Sequence, residues 1–167
     1  ALGIKDGRIA WIGPMSEIPG EAAVIERLAS RWVTPALIDC HTHLVFAGDR
    51  SDEFERRLGG ESYESISRSG GGIARSVEAT RAAGAAELAA GALTRIDALA
   101  QEGVGTVEIK SGYGLTRESE RTMLRAARGV ERATGMRVSA TLLAAHAVPP
   151  EFKGESGRYI DEVCIPL

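Results

Sequence analysis

The sequence predicts an α/β fold, with a parallel sheet and helical crossovers from residue 35 onward, preceded by antiparallel strands within residues 1–34. Three observations carry that expectation. Asp6-Gly7 sits between alternating apolar residues, Leu2 and Ile4 before it and Ile9, Trp11 and Ile12 after it. That is a hairpin signal, because both central residues of a type I′ turn need positive φ. Short apolar runs of the kind found in buried strands recur at 36–38, 104–109 and 136–145. Helical periodicity fills the intervals, and strand–helix–strand alternation is the pattern of a parallel sheet.

In chain order, residues 1–14 predict two antiparallel strands, and 23–25 and 31–33 predict short ones leading to Pro35. Trp11 and Trp32 then serve as strand packing. The stretch 34–50, TPALIDCHTHLVFAGDR, carries a continuous buried strand into a His-Thr-His triplet. Side chains alternate along a strand, so His41 and His43 point the same way and Cys40 packs on the other face. Two neutral imidazoles side by side make half of a zinc or transition-metal site, whose catalytic form takes three protein ligands. Histidines in an apolar segment also serve as core residues, and the triplet alone leaves both readings open.

Residues 49–58 predict a helix with Asp or Ser at its cap, which Gly59-Gly60 breaks. A second short helix is expected over 61–67. Gly70-Gly71-Gly72 then permits a mobile loop over a pocket. A phosphate cradle would need the Gly-Lys-Ser/Thr that does not follow. Residues 73–102 predict two helices broken near Gly84, with Leu88, Ala92, Ile96 and Leu99 along one face. Gly103 stops the second helix, and 104–109 is the next buried strand. It runs into Lys110-Ser111-Gly112-Tyr113-Gly114, which places the Tyr113 phenol at the carboxyl end of the strand. Glu108 and Lys110 share a face, where a structural ion pair or a cavity lining are the alternatives.

An amphipathic helix follows over 116–134. Thr116 caps it, Glu118 and Glu120 sit near its positive end, and Met123, Leu124, Ala127 and Val130 form its apolar stripe. After Gly135, residues 136–145 predict a third parallel strand with His146 at its end. Val148-Pro149-Pro150 halts it, and 155–164 begins another helix.

Composition narrows the function. The 167 residues carry 20 basic and 23 acidic side chains, a net charge of −3, which gives no basic field for nucleic acid. A small-molecule partner is the expectation. No run approaches the roughly 18 apolar residues of a membrane span, and no signal-peptide plan opens the chain. No membrane partner is therefore expected, and the default compartment is the cytoplasm. Two cysteines, Cys40 and Cys164, are too few for a disulfide framework. The chain is long enough for one ordinary core but falls short of the about 250 residues of a complete eight-stranded α/β barrel. It opens on Ala1 and stops at Leu167 just after a predicted helix, and is expected to be part of a longer reading frame.

TPALIDCHTH resembles the first barrel strand of the metal-dependent amidohydrolase superfamily. HTHLVFAGDR, EIKSGYGL and LLAAHAVP, three separated motifs in the expected order, resemble the imidazolonepropionase family within it, along nearly the whole chain. The resemblance implies a TIM-like (β/α)8 barrel, of which 35–167 is the amino-terminal portion with about three strands. Residues 1–34 would be part of a small β domain. It also implies one zinc or iron ion held in part by His41 and His43. A substrate site of Arg50, Tyr63, Tyr113 and His146 is implied for an acidic imidazolone.

Read from the residues alone, Arg50 pairs with Asp49, Asp52 or Glu53. In the family, the arginine at this place contacts substrate. The implied activity is hydrolysis of the cyclic amide of 4-imidazolone-5-propanoate to N-formimidoyl-L-glutamate, in histidine degradation. The family draws another histidine, an aspartate and a catalytic glutamate from later strands. None is present among residues 1–167, so this stretch alone should bind metal weakly, turn over little and expose an unpaired sheet edge. The whole protein is compatible with a homodimer. Another amidohydrolase, such as a deaminase or a hydantoinase-like ring opener, and a non-catalytic α/β module are the competing readings.

Overall fold

A computed structural model describes residues 1–167, which divide into two units, Ala1–Thr34 and Pro35–Leu167. In the first, β1 (Leu2–Lys5) and β2 (Arg8–Ile12) pair antiparallel, with Leu2 opposite Ile12 and Lys5 opposite Arg8. Asp6 at φ 52° and Gly7 at φ 70° supply the two positive dihedrals that a tight hairpin with right-handed twist demands. The Trp11 ring lies against Gly13, where an added Cβ would come within 2.5 Å of it.

The strands expected at 23–25 and 31–33 do not form; both stretches are irregular and exposed. An apolar triplet with no neighbouring strand to share its hydrogen bonds has no ladder to join. Trp32 follows from this, since without a strand it has nothing to pack on and is 93% exposed.

In the second unit, β3 (Leu37–Thr42), β4 (Val104–Lys110) and β5 (Arg137–Thr141) form one parallel sheet in that order. Between β3 and β4 run α1 (Ser51–Leu58), α2 (Tyr63–Arg68), α3 (Ile73–Ala82) and α4 (Ala85–Gln101). α5 (Arg117–Thr134) joins β4 to β5. The break between α3 and α4 falls at Gly84, and Thr116 caps α5 by accepting from the Ser119 N–H at 3.2 Å.

The central strand β4 buries Val107 and Ile109 completely against Leu88, Ala92 and Ile96 of α4 and Met123, Ala127 and Val130 of α5. Each large apolar side chain so removed from water contributes about 1.5–3 kcal/mol. A smaller cluster joins Val77, Leu115, Tyr159 and Val163. The chain ends in α6 (Ser156–Tyr159) and a π turn at Ile160–Cys164, where a helix was expected. No helix is long and apolar enough to cross a membrane.

Three further expectations differ from the structure. β3 is not buried: Leu37 and Ile38 are 58% and 70% exposed, because β3 pairs only with β4 and forms an edge of the sheet. Cys40 is accordingly exposed and does not pack. The third strand ends at Thr141, short of residue 145, and the chain turns through a 3-10 segment at Ala144–His146. Ser111 draws it aside, since its Oγ accepts from the Leu143 N–H at 3.1 Å. Tyr159 donates its hydroxyl proton to the Ala144 carbonyl at 2.6 Å.

Candidate active site

β3 carries His41, and His43 follows its last residue, with the two ring centres 5.7 Å apart. Thr42, between them, turns the other way and donates to the Glu108 carbonyl at 2.6 Å, tying the strand end to β4. Beyond the carboxyl ends of the strands, three rings close a triangle. His43 lies 5.0 Å from Tyr113 and 4.9 Å from His146, and Tyr113 lies 5.5 Å from His146. The His146 Nδ1 sits 3.1 Å from the Gly112 carbonyl. A carbonyl only accepts, so this contact places the proton of neutral His146 on Nδ1 and leaves Nε2 as an acceptor.

The imidazoles suit a metal in two respects. Rings bound to one ion through bonds of about 2.1 Å have centres about 5 Å apart at a tetrahedral angle, near the separation found. The His43 Nδ1 is buried with no hydrogen-bond partner, an orphaned polar atom of the kind a ligand satisfies. Burial, then the neighbouring His146, His41 and Lys110, hold the His43 pKa below the ordinary value and keep it in the neutral form that coordinates metal. His41 and His43 could supply two ligands of a metal set, and no group of three or more candidate ligands is assembled within residues 1–167.

Glu108 and Lys110 form the ion pair, which Thr141 extends by donating to Glu108 Oε1 at 2.6 Å. Burial works to raise the Glu108 pKa, and the bonds from Lys110 and Thr141 outweigh it, so the net shift is downward. Its Oε2 remains buried without a partner.

Arg50, Tyr63 and Tyr113 line a cavity of about 700 Å³ that also takes in Phe46, Arg57 and Arg95. Arg50 gives its Nε to Glu53 Oε2 at 2.8 Å. Glu53 is 4% exposed and its other oxygen accepts from the Gly72 N–H at 2.9 Å, so the glycine loop is pinned at that point. Pairing with Glu53 and facing the cavity are therefore compatible for Arg50. Tyr63 is half-exposed at the rim, with its hydroxyl beside Gly72.

Three contributors escape motif reading. Arg95 of α4 donates to the Leu44 and Phe46 carbonyls at 2.8 and 3.1 Å and stacks 3.6 Å over the Phe46 ring. It fastens the segment that follows His43. Arg81 of α3 donates to the Gly114 carbonyl at 2.6 Å. Glu120, fully buried, accepts from the N–H groups of Gly112, Gly114 and Leu115. A glutamate in the first turn of a helix reads as a dipole partner, and no sequence signal turns it back onto the preceding loop.

No family model matches the chain. It is 96% identical over all 167 residues to a protein of Maricaulis maris named Imidazolonepropionase, of which it covers 42%. Proteins of the same name from Acidiphilium cryptum and Roseobacter denitrificans are 57% and 53% identical over 98% and 99% of the chain, which covers 41% and 42% of them. The chain thus spans about two fifths of the length of the curated relatives it matches.

Proposed function

We propose, for a chain that belongs to the imidazolonepropionase family along the stretch it spans, that the protein containing it opens the cyclic amide of 4-imidazolone-5-propanoate. Water adds its oxygen to the ring carbonyl carbon and the ring C–N bond breaks; one proton of that water passes to the departing nitrogen, which ends in the formimidoyl group of N-formimidoyl-L-glutamate, and the other is released as the new carboxyl group ionises. The observation that carries the reading is the double position of Tyr113. It lies in the ring cluster with His43 and His146, and in the cavity with Arg50 and Tyr63. Reaction centre and carboxylate site therefore adjoin.

His41 and His43 would hold one zinc or iron ion together with ligands from outside residues 1–167. Such an ion supplies Lewis acidity, polarising a carbonyl and lowering the pKa of water. The side chains present do the rest. Arg50, mounted on Glu53, meets the propanoate with the guanidinium nitrogens that Glu53 does not engage. Tyr113 and Tyr63 bound the ring's binding space, and the Nε2 of His146 accepts a proton shared by a ring N–H.

The parallel strands β3 to β5 form the first part of a (β/α)8 barrel in this reading, with residues 1–34 contributing to a small β domain. The protein would act in the cytoplasm, with homodimer formation left to the whole chain. Hydrolysis of 4-imidazolone-5-propanoate by the purified whole protein, with formation of N-formimidoylglutamate, is the test. Absence of that product from a metal-loaded, folded preparation sinks the proposal.

A further inference from the structure

Among the buried charges of this chain, Glu120 is the one whose partners all lie in a loop bearing a proposed substrate contact. It is 0% exposed, and its carboxylate has no cation beside it. It accepts instead from three backbone N–H groups, Gly112 at 3.0 Å and Gly114 and Leu115 at 2.8 Å each. Burying a carboxylate is costly unless such charge-assisted bonds replace its water. α5 does not need Glu120 for its own cap, since Thr116 already serves.

The loop does need it. Gly112 sits at φ 115° and Leu115 at φ 54°, a left-handed conformation that is unfavourable for a leucine. Tyr113 stands between the bonded N–H groups of residues 112 and 114. The carbonyl of Gly112 holds His146. On the opposite edge Arg81 takes the Gly114 and Leu115 carbonyls, at 2.6 and 3.3 Å.

We propose that Glu120 is a positioning residue for the substrate pocket. Its buried carboxylate fixes the 112–115 loop through three N–H bonds and so sets the Tyr113 phenol and, through the Gly112 carbonyl, the tautomer and orientation of His146. The proposal rests on the reading above, in which Tyr113 and His146 meet substrate. Preorganising two such groups from a site that never touches substrate is how a distant side chain governs binding geometry.

The test uses the whole metal-loaded protein, labelled with ¹⁵N-histidine, and imidazole-4-propanoate as a probe that has no carbonyl to hydrolyse. Glu120→Gln keeps the side chain's size but turns an N–H donor toward N–H groups. It is expected to erase the Nδ1–H signature of His146, assigned by its loss in His146→Gln, and to weaken probe binding about tenfold at unchanged metal content. Val130→Ala, which loosens α5 from the core, is the control and should lower Tm while leaving both readouts intact.

An unchanged ring signal and affinity in Glu120→Gln overturns the proposal, as does an equal loss in Val130→Ala. Should Glu120→Gln fail to fold, Glu120→Asp, which withdraws the charge by one methylene, is judged by the same signals. A wild-type protein that binds no probe and hydrolyses no imidazolone defeats the proposed function, and the His146 signal still decides the role of Glu120.

Discussion

The rings of His43 and His146 lie nearly parallel, 13° apart in plane and 4.9 Å between centres, although 103 residues separate them in the chain. One ring comes from the end of β3 and the other from a turn after β5, and they meet because β4 lies between those strands and carries the 112–115 loop. Burial holds His43 away from its protonated form, and the neighbouring His146 ring acts on it in the same direction.

His43 should therefore titrate below the 6.5 of an ordinary histidine in the metal-free protein. Between its folded pKa and 6.5 the unfolded chain binds more protons than the folded one, so stability rises with pH through that window. Equivalently, stability is lost as pH falls from 6.5 toward the folded pKa. Histidine NMR titration gives the midpoint, and His43→Asn should flatten this part of the stability–pH curve. A midpoint at or above 6.5 contradicts the account.

Arg50→Met should raise KM about tenfold or more with a smaller change in kcat, since in the proposed reading it removes a bond made equally to substrate and transition state. Glu53→Gln should move KM in the same direction by less, because the arginine survives but loses its mount. Steady-state kinetics of the whole enzyme decides. An unchanged KM in Arg50→Met returns Arg50 to a purely structural pair.

Arg95→Met should destabilise the whole protein by about 2 kcal/mol, the order expected for losing charge-assisted bonds to two carbonyls and a stacked ring. Arg95→Lys should recover only part of it, because an ammonium lacks the planar fork. Denaturant unfolding measures both, and a full recovery by lysine argues against the stacked geometry.

At Gly112 a Cβ would come 2.9 Å from His146 Cβ and Nδ1, at a φ of 115° that a side chain rarely adopts. Gly112→Ala should cost about 1–3 kcal/mol and displace His146, lowering kcat/KM more than it lowers Tm. Parallel Tm and kinetic measurements separate the two effects. Normal kinetics would place His146 outside the reaction site.

What the sequence made legible follows the range over which each signal acts. The hairpin at Asp6-Gly7, the capped helix after Thr116 and the paired faces of His41 and His43 are local consequences of dihedral preference and periodicity. Expectations that required a neighbour did less well. The apolar triplets at 23–25 and 31–33 had strand propensity but no partner edge, and β3 read as buried although only β4 lies beside it. His146 reached the site by a turn that Ser111 redirects, a contact between residues 32 apart. Glu120, Arg81 and Arg95 bind backbone atoms, which carry no residue identity and leave no motif.

Metal analysis of the whole purified protein, wild type against His41→Ala and His43→Ala, tests the pairing of the two imidazoles most directly. The account predicts about one zinc or iron ion per wild-type chain, removable by a chelator, and loss of that ion in both folded variants. Retention of the metal at wild-type affinity in either variant would contradict it.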